Sequence, residues 1–203
     1  MTDTLFPVEI GAGNALASTD LADSLLTVGS MGNDGNVSYL KFTKGGVWEF
    51  GREGDSIEKD ELLAVNPASF VAGWQGWNNG APVNGPVLPV GQMASLPAES
   101  ELPAIPPGEM NGWQSLFGVN FKAMEDGTDL QYHATSHGGK KFVQNLMKAV
   151  ALGMKDHLDA PVALVKLSSD NYKHTSFGKI FTPEFAIVGW ANAEGKEVKK
   201  LAA

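Results

Sequence analysis

The amino-acid sequence predicts a mainly β protein with one main α-helix, closing into a small antiparallel barrel. The first sign is a hairpin, Leu116–Met124 and Leu130–Ser136, joined across Glu125-Asp126-Gly127-Thr128. Asp-Gly tolerates the positive φ of a tight turn, which makes it a strong hairpin signal. The second is a helical face beyond Gly138-Gly139, where Val143, Leu146, Met147, Val150 and Met154 recur at helix spacing between Lys140 and about His157. The third is a pair of strand-like runs, Val162–Ser168 and Glu184–Trp190. Strand, strand, helix, strand, strand is the order of the later part of an oligonucleotide-binding (OB) barrel, whose helix lies between its third and fourth strands.

Upstream, residues 1–36 are rich in Ala, Ser, Thr, Asp, Asn and Gly and sustain no period, so a flexible arm is expected. Val37–Thr43 and Val47–Gly51 form an additional N-terminal hairpin across Lys44-Gly45-Gly46. Its first strand sets Tyr39, Lys41 and Thr43 on one face and Leu40 and Phe42 on the other. Glu61–Val65 reads as a short strand, and Phe70–Asn78 as a strand with a bulge. That second stretch carries Trp74 and Trp77 among glycines, too many for a packed strand interior. Residues 80–112 hold 7 of the 11 prolines and read as an extended loop or edge inserted into one domain spanning 37–194. Residues 195–203 form a short basic tail, expected to fray.

Composition narrows the function. At 203 residues the chain suits one elaborated domain. The absence of cysteine excludes disulfides, thiolate catalysis and cysteine-ligated zinc. The acidic start, Met1-Thr2-Asp3-Thr4, does not suggest a secretory signal, and no apolar run approaches the roughly 20 residues that span a bilayer. A cytoplasmic protein without membrane contact is expected. The net charge of −8 argues against a nucleic-acid partner, yet it is unevenly spread. Residues 1–139 hold 5 Lys+Arg against 17 Asp+Glu, while residues 140–203 hold 10 against 6. Such asymmetry suits either a localised anionic partner or a solvated helix and basic tail.

Catalytic motifs are missing. There is no Gly-x-Ser-x-Gly elbow, no phosphate-binding Gly-x-x-x-x-Gly-Lys-Ser/Thr loop and no dinucleotide fingerprint after a strand. His133 and His137 stand four apart, but at a strand end running into two glycines, so a strand-end and a helix-entry histidine are expected rather than metal ligands. Glu49, Glu53, Asp55, Glu58, Asp60 and Glu61 lie in one run, whereas a two-metal site draws carboxylates from separate elements. No enzymatic activity, metal or cofactor is expected.

Aromatic and basic residues carry more information. Proteins that hold single strands combine positive charge for phosphates with flat rings on which bases stack, at roughly 1–3 kcal/mol per base. Tyr39, Lys41, Lys44 and Trp48 form one such group, and Tyr172, Lys173, His174 and Lys179 another. Strand parity turns Phe117, Val119, Phe121 and Ala123 inward with Leu130, Tyr132 and Ala134, leaving Lys122 and His133 outward as contact candidates. Lys166 falls on the solvent side of its strand, and Lys140 stands at the helix start. Lys141, Lys148 and Lys155, seven apart, read as the wet stripe of the helix. Trp190 is expected to be structural, and Trp74 and Trp77 are the preferred stacking residues.

The run from Tyr172 through Lys173-His174-Thr175-Ser176-Phe177-Gly178-Lys179-Ile180-Phe181-Thr182-Pro183-Glu184 to Phe185, with Gly189-Trp190, resembles phage-encoded proteins of DNA replication and recombination clusters. Leu40-Lys41-Phe42-Thr43-Lys44-Gly45-Gly46-Val47-Trp48 and Val65-Asn66-Pro67 are similar in the same way. The resemblance implies a phage single-stranded-DNA-binding protein of OB fold, non-enzymatic, acting in the host cytoplasm. Its partners would be single-stranded DNA, replication or recombination proteins, and further copies of the chain. Many such proteins end in an acidic recruiting tail, whereas this chain ends Lys196-Glu197-Val198-Lys199-Lys200-Leu201-Ala202-Ala203. Recruitment would then fall to another surface, such as the acidic Glu49–Glu61 region. A non-enzymatic phage structural or inhibitor protein is the alternative, which the Gly and Pro content and acidic net charge suit equally.

Overall fold

The computed structural model describes residues 37–108, 111–192 and 195. The arm expected over 1–36 lies outside the described residues, as does the tail except for Gly195. In chain order the elements are β1 (Val37–Phe42), β2 (Trp48–Phe50), β3 (Asp55–Ser56), β4 (Leu63–Val65), β5 (Val71–Asn78), β6 (Ala81–Pro89), β7 (Gly112–Ala123), β8 (Asp129–Ala134), α1 (His137–Asp156), β9 (Val162–His174) and β10 (Gly178–Ala191).

The protein is mainly β with one main helix, its strands forming one curled sheet in the order β10-β9-β4-β7-β8-β1-β2-β3. β4 pairs antiparallel with both β7 and β9, β7 with β8, and β9 with β10. Counted along β4, β7, β8, β9 and β10, the helix falls between the third and fourth strands, the OB-like order the sequence predicts. β1 runs parallel to β8, with Tyr39 beside Gln131. From the far side of that hairpin, the Trp48 indole N–H donates to the Ser168 carbonyl of β9 at 2.9 Å. Nearby Gly46, at φ +82°, lies so close under the Phe181 ring that a Cβ there would overlap it. The N-terminal hairpin thus bridges β8 to the β9–β10 pair and draws the curl toward closure.

The alternation along β7 and β8 explains the core. Val119, Phe121, Ala123, Leu130, Tyr132 and Ala134 are all buried, as parity requires. Asp126 shapes the turn between them, accepting from the Thr128 amide and hydroxyl at 2.9 and 2.7 Å; these bonds hold its carboxyl below the ordinary value. Ser136 caps α1 by accepting from the Gly139 amide at 3.3 Å. The helix then lays Phe142, Val143, Leu146 and Val150 on the sheet. Rings interlock beneath it: Trp48 with Phe42, Tyr132 and Phe142, and Phe142 with Phe185, at centroid separations of 5.0–5.6 Å. Trp190 is structural, stacked on His157 at 4.8 Å under Gly153, where a Cβ would overlap its indole.

Two expectations are corrected and a third is made specific. The stretch between the last two expected strands is itself strand apart from the turn at 175–177, because β9 and β10 pair from Val162–Ala191 to His174–Gly178 with one irregularity between Ile187 and Gly189. Polar residues from Ser168 onward had the look of a connection only because the ribbon there projects past the core, where neither face is apolar. The passage read as loop or edge opens as an edge strand, β6, paired with β5 alone; Pro82, Pro86 and Pro89 are tolerated on such a strand. β5, with its glycines, is an interior strand between β6 and β7, carrying the expected irregularity between Gly73 and Gln75. Glycine is needed there because the Pro86 and Val87 backbone approaches too closely to admit a Cβ at Gly73.

Candidate nucleic-acid interface

The β9–β10 ribbon carries the densest group of exposed basic and aromatic side chains. In its register Lys173 faces Lys179, Tyr172 faces Ile180 and Asn171 faces Phe181. The two lysines therefore share a face with Phe181, and Tyr172 stands on the reverse. The Lys179 ammonium sits 4.5 Å from the Phe181 ring centroid, a cation–π contact worth about 0.5–1 kcal/mol. Like charges directly opposite on a ladder repel. Among the described residues neither lysine forms an ion pair; the pairs present are Lys122–Asp129 and Lys166–Asp60.

The tip is shaped by His174, whose Nδ1 accepts from the Ser176 and Phe177 amides at 3.1 and 3.3 Å. Its ring lies 4.9 Å from that of Phe177, which is 77% exposed; Tyr172 is 50% exposed. Because Gly46 abuts Phe181, the β1–β2 turn and its exposed Lys44 lie beside this face. The structure thus groups Lys44, Lys173 and Lys179 on one face with Phe181, places His174 and Phe177 at the tip, and sets Tyr172 on the reverse face.

The other candidates are placed elsewhere or already engaged. Trp48 is a correction: at 4% exposure, with its N–H bound to Ser168, it is a core residue and offers no face to a base. Trp74, half-buried, donates its indole N–H to the Pro97 carbonyl at 3.0 Å and so fastens the proline-rich passage, away from the ribbon. Trp77 is half-buried on β5, with Pro82 and Gly112 as its strand neighbours. Lys122 pairs with Asp129 at 2.8 Å, its neighbour across the ladder. Lys166 pairs with Asp60 at 2.7 Å, the bond that lowers the Asp60 carboxyl. Lys140 donates to the Ser115 hydroxyl at 2.8 Å. His133 points outward as expected but lies across Gly118, leaving no space for a Cβ there. Partial desolvation of the ring lowers its pKa, although the residue as a whole is exposed. Tyr39, 65% exposed, and Lys41 point outward from β1, with Lys41 opposite Glu49.

A groove of about 610 Å³ runs between the start of α1 and β10, its lining including Gly138, Lys141, Tyr172 and Phe181. An acidic hollow formed by Glu58, Asp60, Glu61, Glu125 and Asp126 lies elsewhere; burial first, then the neighbouring carboxylates, raises the Glu61 pKa. Among the described residues no group of three or more His, Asp or Glu is arranged to hold a metal ion, and no helix is long and apolar enough to cross a membrane.

Phe181 escaped the sequence reading because residues 172–181 did not read as strand. Once the ribbon is known, Lys179 and Phe181, two apart, must share a face. No family model, curated protein or solved structure matches this chain.

Proposed function

We propose that this protein binds single-stranded DNA with little sequence preference, using the tip of the β9–β10 ribbon and the adjoining β1–β2 turn. One observation carries the reading. Lys173 and Lys179 face each other across the ladder without a carboxylate partner among the described residues, on a ribbon whose tip carries exposed Phe177 and whose reverse face carries exposed Tyr172. An isolated protein gains nothing from that repulsion, whereas a phosphate seated between the two ammonium groups relieves it. Tyr172 and Phe177 supply flat faces for bases, whose stacking is sequence-tolerant. Lys44 extends the positive track. The role is non-enzymatic, in phage DNA replication or recombination, and the acidic hollow around Glu58 and Asp126 is the surface left for partner proteins.

The test is fluorescence anisotropy with an end-labelled oligo-dT over a range of salt concentrations. Binding weakens as salt rises. Replacing both Lys173 and Lys179 by Gln flattens the slope of log K against log[salt] by about 1.4, the value for two phosphate contacts on a single strand. Absence of binding at low salt, or a slope the double variant leaves unchanged, removes the reading. A stable oligomer that fails to shift DNA would favour a structural or inhibitor protein.

A further inference from the structure

The groove at the start of α1 has features that strand binding at the ribbon tip does not use. Its floor is Tyr132, only 4% exposed, and the hydroxyl would touch a Cβ placed on Gly139 at 2.7 Å. That hydroxyl makes no hydrogen bond to the described residues, yet no side-chain polar atom is sealed away without a partner, so it opens onto the groove. A hydroxyl without a partner among the described residues, on a ring otherwise buried, can donate to a ligand oxygen in the groove.

Three other donors converge on the same place. Ser136 takes the Gly139 amide, and its carbonyl takes the Lys140 amide, leaving His137 and Gly138 as first-turn amides without acceptors inside the helix. The helix dipole adds partial positive charge at that end, and α1 has no acidic residue in its first turn. Lys141 is exposed and lines the groove. Gly138 lines the groove beside Pro183, with Pro183 Cδ 3.7 Å from where a Cβ would stand. Two carboxylates also line the groove, Asp170, which accepts from the Asn171 amide at 2.7 Å, and exposed Glu184. They oppose a run of phosphates but leave room for one. Tyr172 and Phe181 belong to both the groove and the ribbon tip.

We infer that this groove seats a single phosphomonoester, held by the Tyr132 hydroxyl, the first-turn amides and Lys141. Resting on the reading above, that group is the terminal phosphate of the bound strand. The protein therefore distinguishes a phosphorylated strand end from a hydroxyl end.

The experiment compares internally labelled oligo-dT carrying a 5′-phosphate, a 3′-phosphate or hydroxyls at both ends. In parallel, amide NMR shifts at His137 and Gly138 are followed during titration with thymidine 5′-monophosphate. One phosphorylated end is expected to bind roughly tenfold tighter than the hydroxyl-ended strand, the scale of one charge-assisted hydrogen bond. Tyr132→Phe, which keeps the packed ring, and surface Lys141→Gln should each reduce that preference. Equal binding of all three oligonucleotides, with no amide shifts, overturns the seat and leaves strand binding standing. Amide shifts lost in Tyr132→Phe, without binding of any oligonucleotide, support the seat and remove the strand reading.

Discussion

His133 shows how one contact decides a residue's chemistry. Outward and exposed on β8, its ring nevertheless lies on Gly118, and the partial desolvation favours the neutral form. A folded-state pKa below the unfolded 6.5 means the unfolded chain binds more protons as pH falls through that range. Stability should therefore hold above about pH 6.5 and decline below it. Urea midpoints at pH 7.5 and 5.5 measure the loss, which His133→Gln should diminish. Side-chain directions on β7 and β8 were legible in advance, because alternation and the Asp126-Gly127 turn specify them. Lys122 could also have been discounted, since that turn sets it opposite Asp129. Lys166 could not, because its partner Asp60 stands 106 residues earlier.

At the scale of elements, the proline-rich passage is fastened rather than loose. Trp74 donates to the Pro97 carbonyl and Trp113 to that of Pro103, at 3.0 and 2.8 Å. The Asn111 amide donates to the Pro106 carbonyl at 3.2 Å, and its oxygen accepts from the Asn79 amide at 2.8 Å. Gly76 and Gly85 leave space for the Trp113 ring, and Ile105 packs above Gly76. Prolines lack an amide hydrogen but keep a carbonyl, so an indole N–H suits them. The sequence shows many prolines and several tryptophans, but their pairing depends on tertiary approach and cannot be read from spacing. Trp113→Phe keeps most of the packing and deletes one donor, so a cost of about 0.5–1.5 kcal/mol is expected. Limited proteolysis should then cut faster between Leu96 and Pro107. Unchanged cleavage would mean that the bond does not restrain the passage.

Across the whole molecule, an acidic protein with a local basic patch reconciles net charge with a DNA partner. The −8 total would keep the body away from phosphates while Lys44, Lys173 and Lys179 present the face proposed to accept them. The β9–β10 ribbon was the largest gap in the sequence reading, because a strand projecting past the core loses the alternation by which strands are recognised. The bridge from the N-terminal hairpin to β9 runs through Trp48. Trp48→Phe should keep much of the ring cluster but lose the bond to Ser168, lowering stability by about 1–3 kcal/mol as that carbonyl loses its indole donor. Thermal unfolding of the purified variant measures it.

The Trp48–Ser168 contact joins positions 120 residues apart. On a ribosome, the early hairpin must wait with Phe42 and Trp48 uncovered until most of the polypeptide has emerged. Long-separated pairings are slow to form, and uncovered rings invite association meanwhile. Refolding yield from denaturant should therefore fall as protein concentration rises, and an added chaperone should restore it.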